Sequence, residues 1–311
     1  MAAPIPGTGG AAAGHTEPMS GLPVASVACA LLAAFLFACA SVAQQSAAAA
    51  VPEDQALIAT LVRSPRWWAG IVGDGGGYLM QVAALALGSV LVVQPLIVSM
   101  LLFALPLSAR FSGYRLTRRS WTSAIALTVA LAVFLVVGDP TEGGTDAPWH
   151  DWAIPLVAVV VVTVAATAAG LTPRMTPGRR ALLLGSASGA LYGIAVAFTK
   201  YVTDLFEHGL GHVLGAWQTY ALVGAGVAGV YLQQRAFQVG PLAASLPAMT
   251  IGEPVVAIFL GMTVLDERLR VSGPAVALVV GALVVMVYTT VALSRDQAAL
   301  QPQSDAVGER A

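Results

Sequence analysis

The side chains able to do chemistry are few, and the first is an acid where acids are costly. Residues 240–271 read GPLAASLPAMTIGEPVVAIFLGMTVLDERLRV, an apolar run long enough to cross a bilayer, with Glu253 near its middle. A carboxylate at that depth costs several kcal/mol to insert, so it faces a cavity or a partner. Pro254 follows directly. Proline has no N–H, so the carbonyl of Thr250, one turn back, loses its helical donor. An acid and a freed carbonyl therefore meet at membrane depth, where irregular backbone is tolerated only when buried in protein or lining a water-filled cavity. Two readings fit: a cation or proton ligand on the wall of a solute pathway, or a neutral or paired acid that fixes packing.

A second acid, Asp74, sits in a GDGGG run. Asp74, Tyr78 and Gln81 fall at i, i+4 and i+7 and share one helix face. Gly73, Gly75, Gly76 and Gly77 let that helix loosen or another backbone approach closely. About two turns in from the helix start, Asp74 is either a cation or proton ligand on the pathway or a solvated acid in an inner vestibule. Gln81, Gln233, Gln94 and Gln234 offer donors and acceptors to a polar solute, and equally serve as interhelical glue. Lys200 is the one lysine among fifteen cationic residues. Its amine either pairs with a carboxylate or snorkels to the interface. His208 and His212, near Asp204 and Glu207, have metal-ligand spacing on a helix, but Gly209 and Gly211 oppose a regular one.

These groups need helices to hold them. The chain is 57% hydrophobic and 10% charged, with a mean hydropathy of +0.79. That composition belongs to an integral membrane protein, and a net charge of −1 gives no nucleic-acid signal. Spans are expected at about 22–45, 68–88, 90–109, 121–138, 152–171, 181–203, 215–234, 241–264 and 273–294. Residues 1–20 and the tail from Arg295 read as disordered. Cys29 and Cys39 share the first span. Ten residues apart on a helix, they stand about 15 Å apart and cannot pair with each other.

Arginines orient the spans. The loops after the first, third, fifth and seventh spans, with the C-terminal tail, hold all of them except Arg268 and Arg270. The positive-inside rule then gives an outer N-terminus and an inner C-terminus, with the Arg-poor, acidic loops outside.

Shifted by 152 residues, the chain partly matches itself. Gly77, Gln81, Ala84, Gly88 and Pro95 fall on Gly229, Gln233, Ala236, Gly240 and Pro247. Spans 2, 3 and 4 overlie spans 7, 8 and 9, and span 1 overlies span 6 approximately. Because span 5 intervenes, equivalent spans cross in opposite directions, an inverted repeat with its site where the halves meet. Pro95 and Pro247 free the carbonyls of Leu91 and Ala243, and paired interruptions of this kind point to a binding site. With Pro254 they are the expected hinges. Gly185 with Gly189, and Gly224 with Ala228, read as close helix contacts.

The segment SLPAMTIGEPVVAIFLGMTVLDERL, with Glu253-Pro254 and Glu267, resembles the C-terminal half of EamA-type members of the drug/metabolite transporter superfamily. GIVGDGGGYLMQVAALALGSVLVVQPL is similar to the second and third spans of NIPA-type magnesium transporters, a nine-span branch of that superfamily. Asp74 stands where that branch usually has Glu, and Gln94-Pro95 replaces Thr-Pro. The resemblance implies an all-α membrane protein with an inverted 4+1+4 repeat. Its units would be 21–138 and 173–294, joined through 139–172.

The expectation is a non-enzymatic transporter moving a small solute by alternating access. A magnesium or other divalent-cation transporter and a non-transporting scaffold are the alternatives. The pathway residues would be Glu253, Asp74, Gln81, Gln233, Thr250, Tyr78, Gln94 and Lys200, with Glu253 and Asp74 as the cation ligands. No cofactor is expected beyond proton or cation coupling. The partners are the lipid bilayer, a small solute or divalent cation and, in a homodimer, a second copy of the chain. The location is a plasma membrane of the bacterial inner-membrane kind, crossed many times.

Overall fold

The protein is seen in a computed structural model, which describes residues 23–49, 62–112, 117–143, 148–240 and 242–299. The parts of the two expected tails at 1–22 and 300–311 lie outside the described residues. So does most of the first loop.

The architecture is all-helical. The helices are α1 (Val24–Ala49), α2 (Pro65–Ala86), α3 (Val90–Val98), α4 (Met100–Ser112), α5 (Arg118–Gly138) and α6 (Trp149–Leu171). They continue with α7 (Pro177–Leu205), a 3-10 turn at Phe206–His208, α8 (Leu210–Gly215), α9 (Trp217–Val239), α10 (Leu242–Thr263) and α11 (Pro274–Ala299).

Their starts follow local chemistry. The Ser64 hydroxyl accepts from the Trp67 N–H, with Pro65 in the first turn of α2. Ser89 accepts from the Val92 N–H at the start of α3, and Thr117 from the Ser120 N–H at the start of α5. Each hydroxyl satisfies one of the donors that a helix start leaves unpaired.

Every expected span coincides with helix, within a few residues. Among the described residues, seven helical stretches are long and apolar enough to cross a membrane. The two expected spans outside that set are α2 and α9. Both are long enough, at 22 and 23 residues, but α2 carries Asp74 and Gln81, and α9 carries Gln218, Gln233, Gln234 and Arg235. Their outward faces are nevertheless apolar, with Val72 and Leu79 on α2 and Val223, Val227 and Val230 on α9 all exposed.

The third expected span is broken. α3 ends at Val98 and α4 begins at Met100, three and five residues past Pro95. Ser99 fills the joint, its hydroxyl donating to the Leu96 carbonyl at 2.5 Å. α10 holds both Pro247 and Pro254 and stays one helix. α11 runs a turn past the expected tail start, and the Asp296 carboxylate accepts from the Ser120 hydroxyl of α5 at 2.6 Å.

α7 is the centre of the bundle. α10, α9 and α6 pack along it, and α2 reaches it from the other side. α1 packs on α2 and α4, and α5 on α11. α6 lies at the edge, with Ile154, Val157, Val161, Val162 and Val164 exposed. Its one fully buried large residue is Trp152, in ring contact with Phe198 and Tyr201 of α7 and Trp217 of α9.

The turns meet at one end. Residues 139–143, after α5, clasp residues 264–271, after α10. Thr141 donates its N–H to the Arg268 carbonyl at 2.8 Å, the Thr141 hydroxyl accepts from the Arg268 N–H at 3.0 Å, and Pro140 bridges to Leu269. Glu267, beneath this clasp, reaches the start of α3. Three of the four Arg-poor turns thus gather at one end of the bundle.

Candidate functional site

The site builds from a seam between α7 and α10. Gly185, Gly189 and Gly193 repeat every fourth residue and lie on one face of α7. A methyl group placed on them would sit 2.7 Å from the Ser245 carbonyl oxygen, 2.7 Å from that of Met249 and 2.6 Å from that of Glu253. Only hydrogen fits, so the two backbones touch for three turns, the packing that small residues permit between membrane helices. The seam places Glu253 at the midpoint of α10, against Gly189 and Gly193, and partly buried. Among the described residues no hydrogen bond or ion pair engages its carboxylate.

The next face of α7 carries Tyr192. Its hydroxyl donates to the Gln233 carbonyl oxygen of α9 at 2.6 Å. It lies within electrostatic reach of both Glu253 and Asp74. Tyr192 therefore bonds to Gln233 of α9 and feels the charges of Glu253 of α10 and, more weakly, Asp74 of α2. Asp74 falls near the middle of α2, because that helix begins at Pro65, earlier than expected.

One turn from Gln233, Gly229 packs on the Tyr192 ring, and its carbonyl accepts from the Ser188 hydroxyl at 2.8 Å. Tyr78 enters α7 at another level, its hydroxyl 3.1 Å from that of Thr199. α2 and α9 are thereby bonded to a polar stripe on α7, while α10 lies on its glycine face.

The other expected residues stand elsewhere. Lys200 neither snorkels nor reaches Glu253; it pairs with Asp204 at 3.1 Å, and both are largely buried. The Thr250 hydroxyl returns to its own helix, donating to the Leu246 carbonyl at 2.8 Å. Gln81 and Gln94 are buried, and the amide nitrogen of each has no hydrogen-bond partner among the described residues. The structure does not bring these two to Tyr192. Gly224 and Ala228, expected as a close contact, are exposed, with nothing within 4 Å of a methyl group added at Gly224. The contact on α9 is made by Gly229.

No group of three or more His, Cys, Asp or Glu is placed to hold a metal among the described residues. His208 and His212 stack at 6.0 Å between ring centres, and both are exposed. A wide apolar groove between α5 and α11, lined by Val129, Leu278 and Gly281 among others, holds no titratable group.

Tyr192, Thr199 and Gly193 were not among the expected site residues. Their signal is in the sequence: Ser188, Tyr192 and Thr199 recur at i, i+4 and i+11, next to the glycine stripe extended to Gly193.

No family model matches the chain, and no solved structure matches it. A protein of Corynebacterium glutamicum, described as "Uncharacterized protein Cgl0250/cg0304", is 38% identical over 271 residues. The match covers 86% of this chain and 93% of that protein. With that much of both chains aligned at that identity, this all-helical membrane protein belongs to the same family as the Corynebacterium protein.

Proposed function

We propose that the protein is a multi-pass transporter that moves a small solute by alternating access around the junction of α2, α7, α9 and α10. The observation that carries the reading is Glu253: a carboxylate at the midpoint of an apolar helix, with no donor among the described residues, on the α7 seam within electrostatic reach of Tyr192. An acid that only fixed packing would be bonded to what it fixed.

Two further features support it. The two long helices of lower apolarity, α2 and α9, are the pair related by the internal repeat, and paired irregular spans point to the solute site. Their packing also corresponds: Gly77 of α2 lies on the Phe37 ring of α1, and Gly229 of α9 on the Tyr192 ring of α7. On this reading the chain has nine spans in an inverted 4+1+4 arrangement, with α6 as the connector and α3 with α4 as one crossing. The end where the Arg-poor turns gather faces outward, and the membrane is the plasma membrane. The resemblance to the drug/metabolite superfamily, EamA-like in α10 and NIPA-like in α2 and α3, agrees with this arrangement.

Two acids in the bundle, Asp74 and Glu253, both within electrostatic reach of Tyr192, favour a second reading, transport of magnesium or another divalent cation, since hard cations take oxygen ligands and keep some water. A thermal-shift screen of the purified protein against divalent cations and small metabolites tests both, because binding to the folded state raises its stability. A compound that raises Tm for the wild type is expected to lose that effect in Glu253→Gln and to cross proteoliposome membranes only with the wild type. A shift by magnesium would select the cation reading. Absence of both shift and flux across the panel would leave a membrane scaffold.

A further inference from the structure

We propose that Glu267 is a proton-binding site whose protonation is coupled to closure of the end of the bundle where the Arg-poor turns meet. Its argument is independent of Glu253 and begins with what the side chain holds. Glu267 is 0% exposed, although it lies in the turn after α10. Its carboxylate accepts the N–H of Val90 at 2.8 Å and of Leu91 at 2.9 Å, the first donors of α3. Its own N–H donates to the Gly261 carbonyl at 3.1 Å, which fixes the turn back onto α10. One side chain therefore ties the broken span α3–α4 to the end of the α10 seam.

The clasp covers it. Gly143 lies so close that an added methyl group would sit 2.9 Å from the Glu267 side chain, with the Leu265 carbonyl closer still. Asp139 and Asp266 adopt φ of 39° and 53°, left-handed backbone that non-glycine residues rarely take. Asp139 is the residue that ends α5, where a left-handed turn is common and Asp tolerates it.

Glu267 is buried without a counter-charge bonded to it. From α7, Lys200 and Asp204 act on it, but they are bonded to each other. From the turn after α5, Asp139 pairs with Arg270 at the surface and Glu142 is exposed; on its own turn Asp266 pairs with Arg268. Val90 and Leu91 of α3 and Gly261 of α10 bring no charge. Burial favours the neutral acid, and the two backbone bonds and Lys200 only partly oppose it, so its pKa is pushed up from 4.5 to about 7.

The sign follows from linkage. The state with the higher pKa is the one that protons favour. Closed, the side chain is a buried acid; open, it meets water and ionises near its ordinary value. Opening exchanges the Val90 and Leu91 bonds for water and releases one proton to that side; closing takes one up. The step rests on the transport reading only for its purpose, since a closing end needs a pathway to close.

Hydrogen exchange of the Val90 and Leu91 amides in the full-length protein tests it, with rates divided by the intrinsic rate at each pH. Between closed and open values of about 7 and 4.5, protection is expected to fall about tenfold from about pH 6 to about pH 8. Glu267→Gln is expected to flatten that profile, while amides of α6 keep their protection in both proteins. In the triple variant His150→Ala/His208→Ala/His212→Ala, which removes the histidines of the turns at that end, the profile is expected to persist. A flat wild-type profile, a profile that survives Glu267→Gln, or one lost in the histidine variant would each overturn the proposal. If Glu267→Gln does not fold, the wild-type and histidine-variant profiles decide. Solute flux is not read in this experiment, so failed transport with an intact profile would sink only the transporter reading.

Discussion

The two spans that carry the repeat-related prolines behave differently. Pro95 lies in a span that breaks into α3 and α4, with Ser99 at the joint. Pro247 lies in α10, and although each span carries a second proline, Pro106 in α4 and Pro254 in α10, α10 does not break. Both prolines remove one helical hydrogen bond, so the residue alone does not decide. The neighbours do. α10 lies against the glycine face of α7 with backbone touching backbone, and bending would open that seam. α3–α4 has no such rail. α4 meets α1 through bulky side chains such as Phe103 on Phe35, 5.7 Å between ring centres. It is anchored instead at its first turn, by Glu267. One span is straightened along its length and the other is held at one end.

The rail is the place to break this contrast most severely. Gly189→Leu forces a side chain into the Met249 backbone and is expected to lower stability by ~3 kcal/mol, the scale of overpacking in a tight core. Gly224→Leu, in open space, is expected to leave the melting temperature in detergent unchanged.

Glu267 gives the next effect. Its pKa is higher in the folded protein than in the unfolded chain, so its stabilising contribution is full at low pH and is lost as pH rises through about 7. Stability should fall by ~1 kcal/mol from about pH 6 to about pH 8 through this group. A Tm series over that range should lose the corresponding slope in Glu267→Gln.

Tyr192→Phe removes the bond to Gln233 and should cost ~1 kcal/mol, measured by the same melts. The smallest change sharpens the contrast itself. Pro95→Ala restores an N–H opposite the Leu91 carbonyl and should increase amide protection in α3 by a few tenths of a kcal/mol to ~1 kcal/mol. Pro247→Ala should leave exchange in α10 as it was.

Much of the frame was legible because lipid makes helices obligatory and lengths nearly fixed. Apolar runs therefore located the helices to within a few residues. Glu253 stood out as a candidate for the same reason: charge in a long apolar run is costly wherever the neighbours stand. What a side chain faces depends on rotation about a helix axis and on the partner helix, and neither is written locally. Lys200 illustrates this, since its partner Asp204 was one turn away and was read only as an outer acid. So does Gly224, whose spacing suited close packing while Gly229 made it. Pro95 and Pro247 looked equivalent because their difference resides in α7 and Glu267, far away in sequence. Glu267 was noticed for its place in a family pattern, but its two N–H partners lie 177 and 176 residues earlier in the chain.

The glycine seam also bears on how the chain assembles during synthesis. α7 and α9 leave the ribosome before α10, so the trough formed by Gly185, Gly189 and Gly193 must wait for the helix that fills it. A nascent chain stalled at Val239 would hold a bare strip of backbone in the bilayer, with Ser188 and Tyr192 already bonded to α9. Truncations there should be cleared by quality-control proteases much faster than chains that extend beyond Thr263.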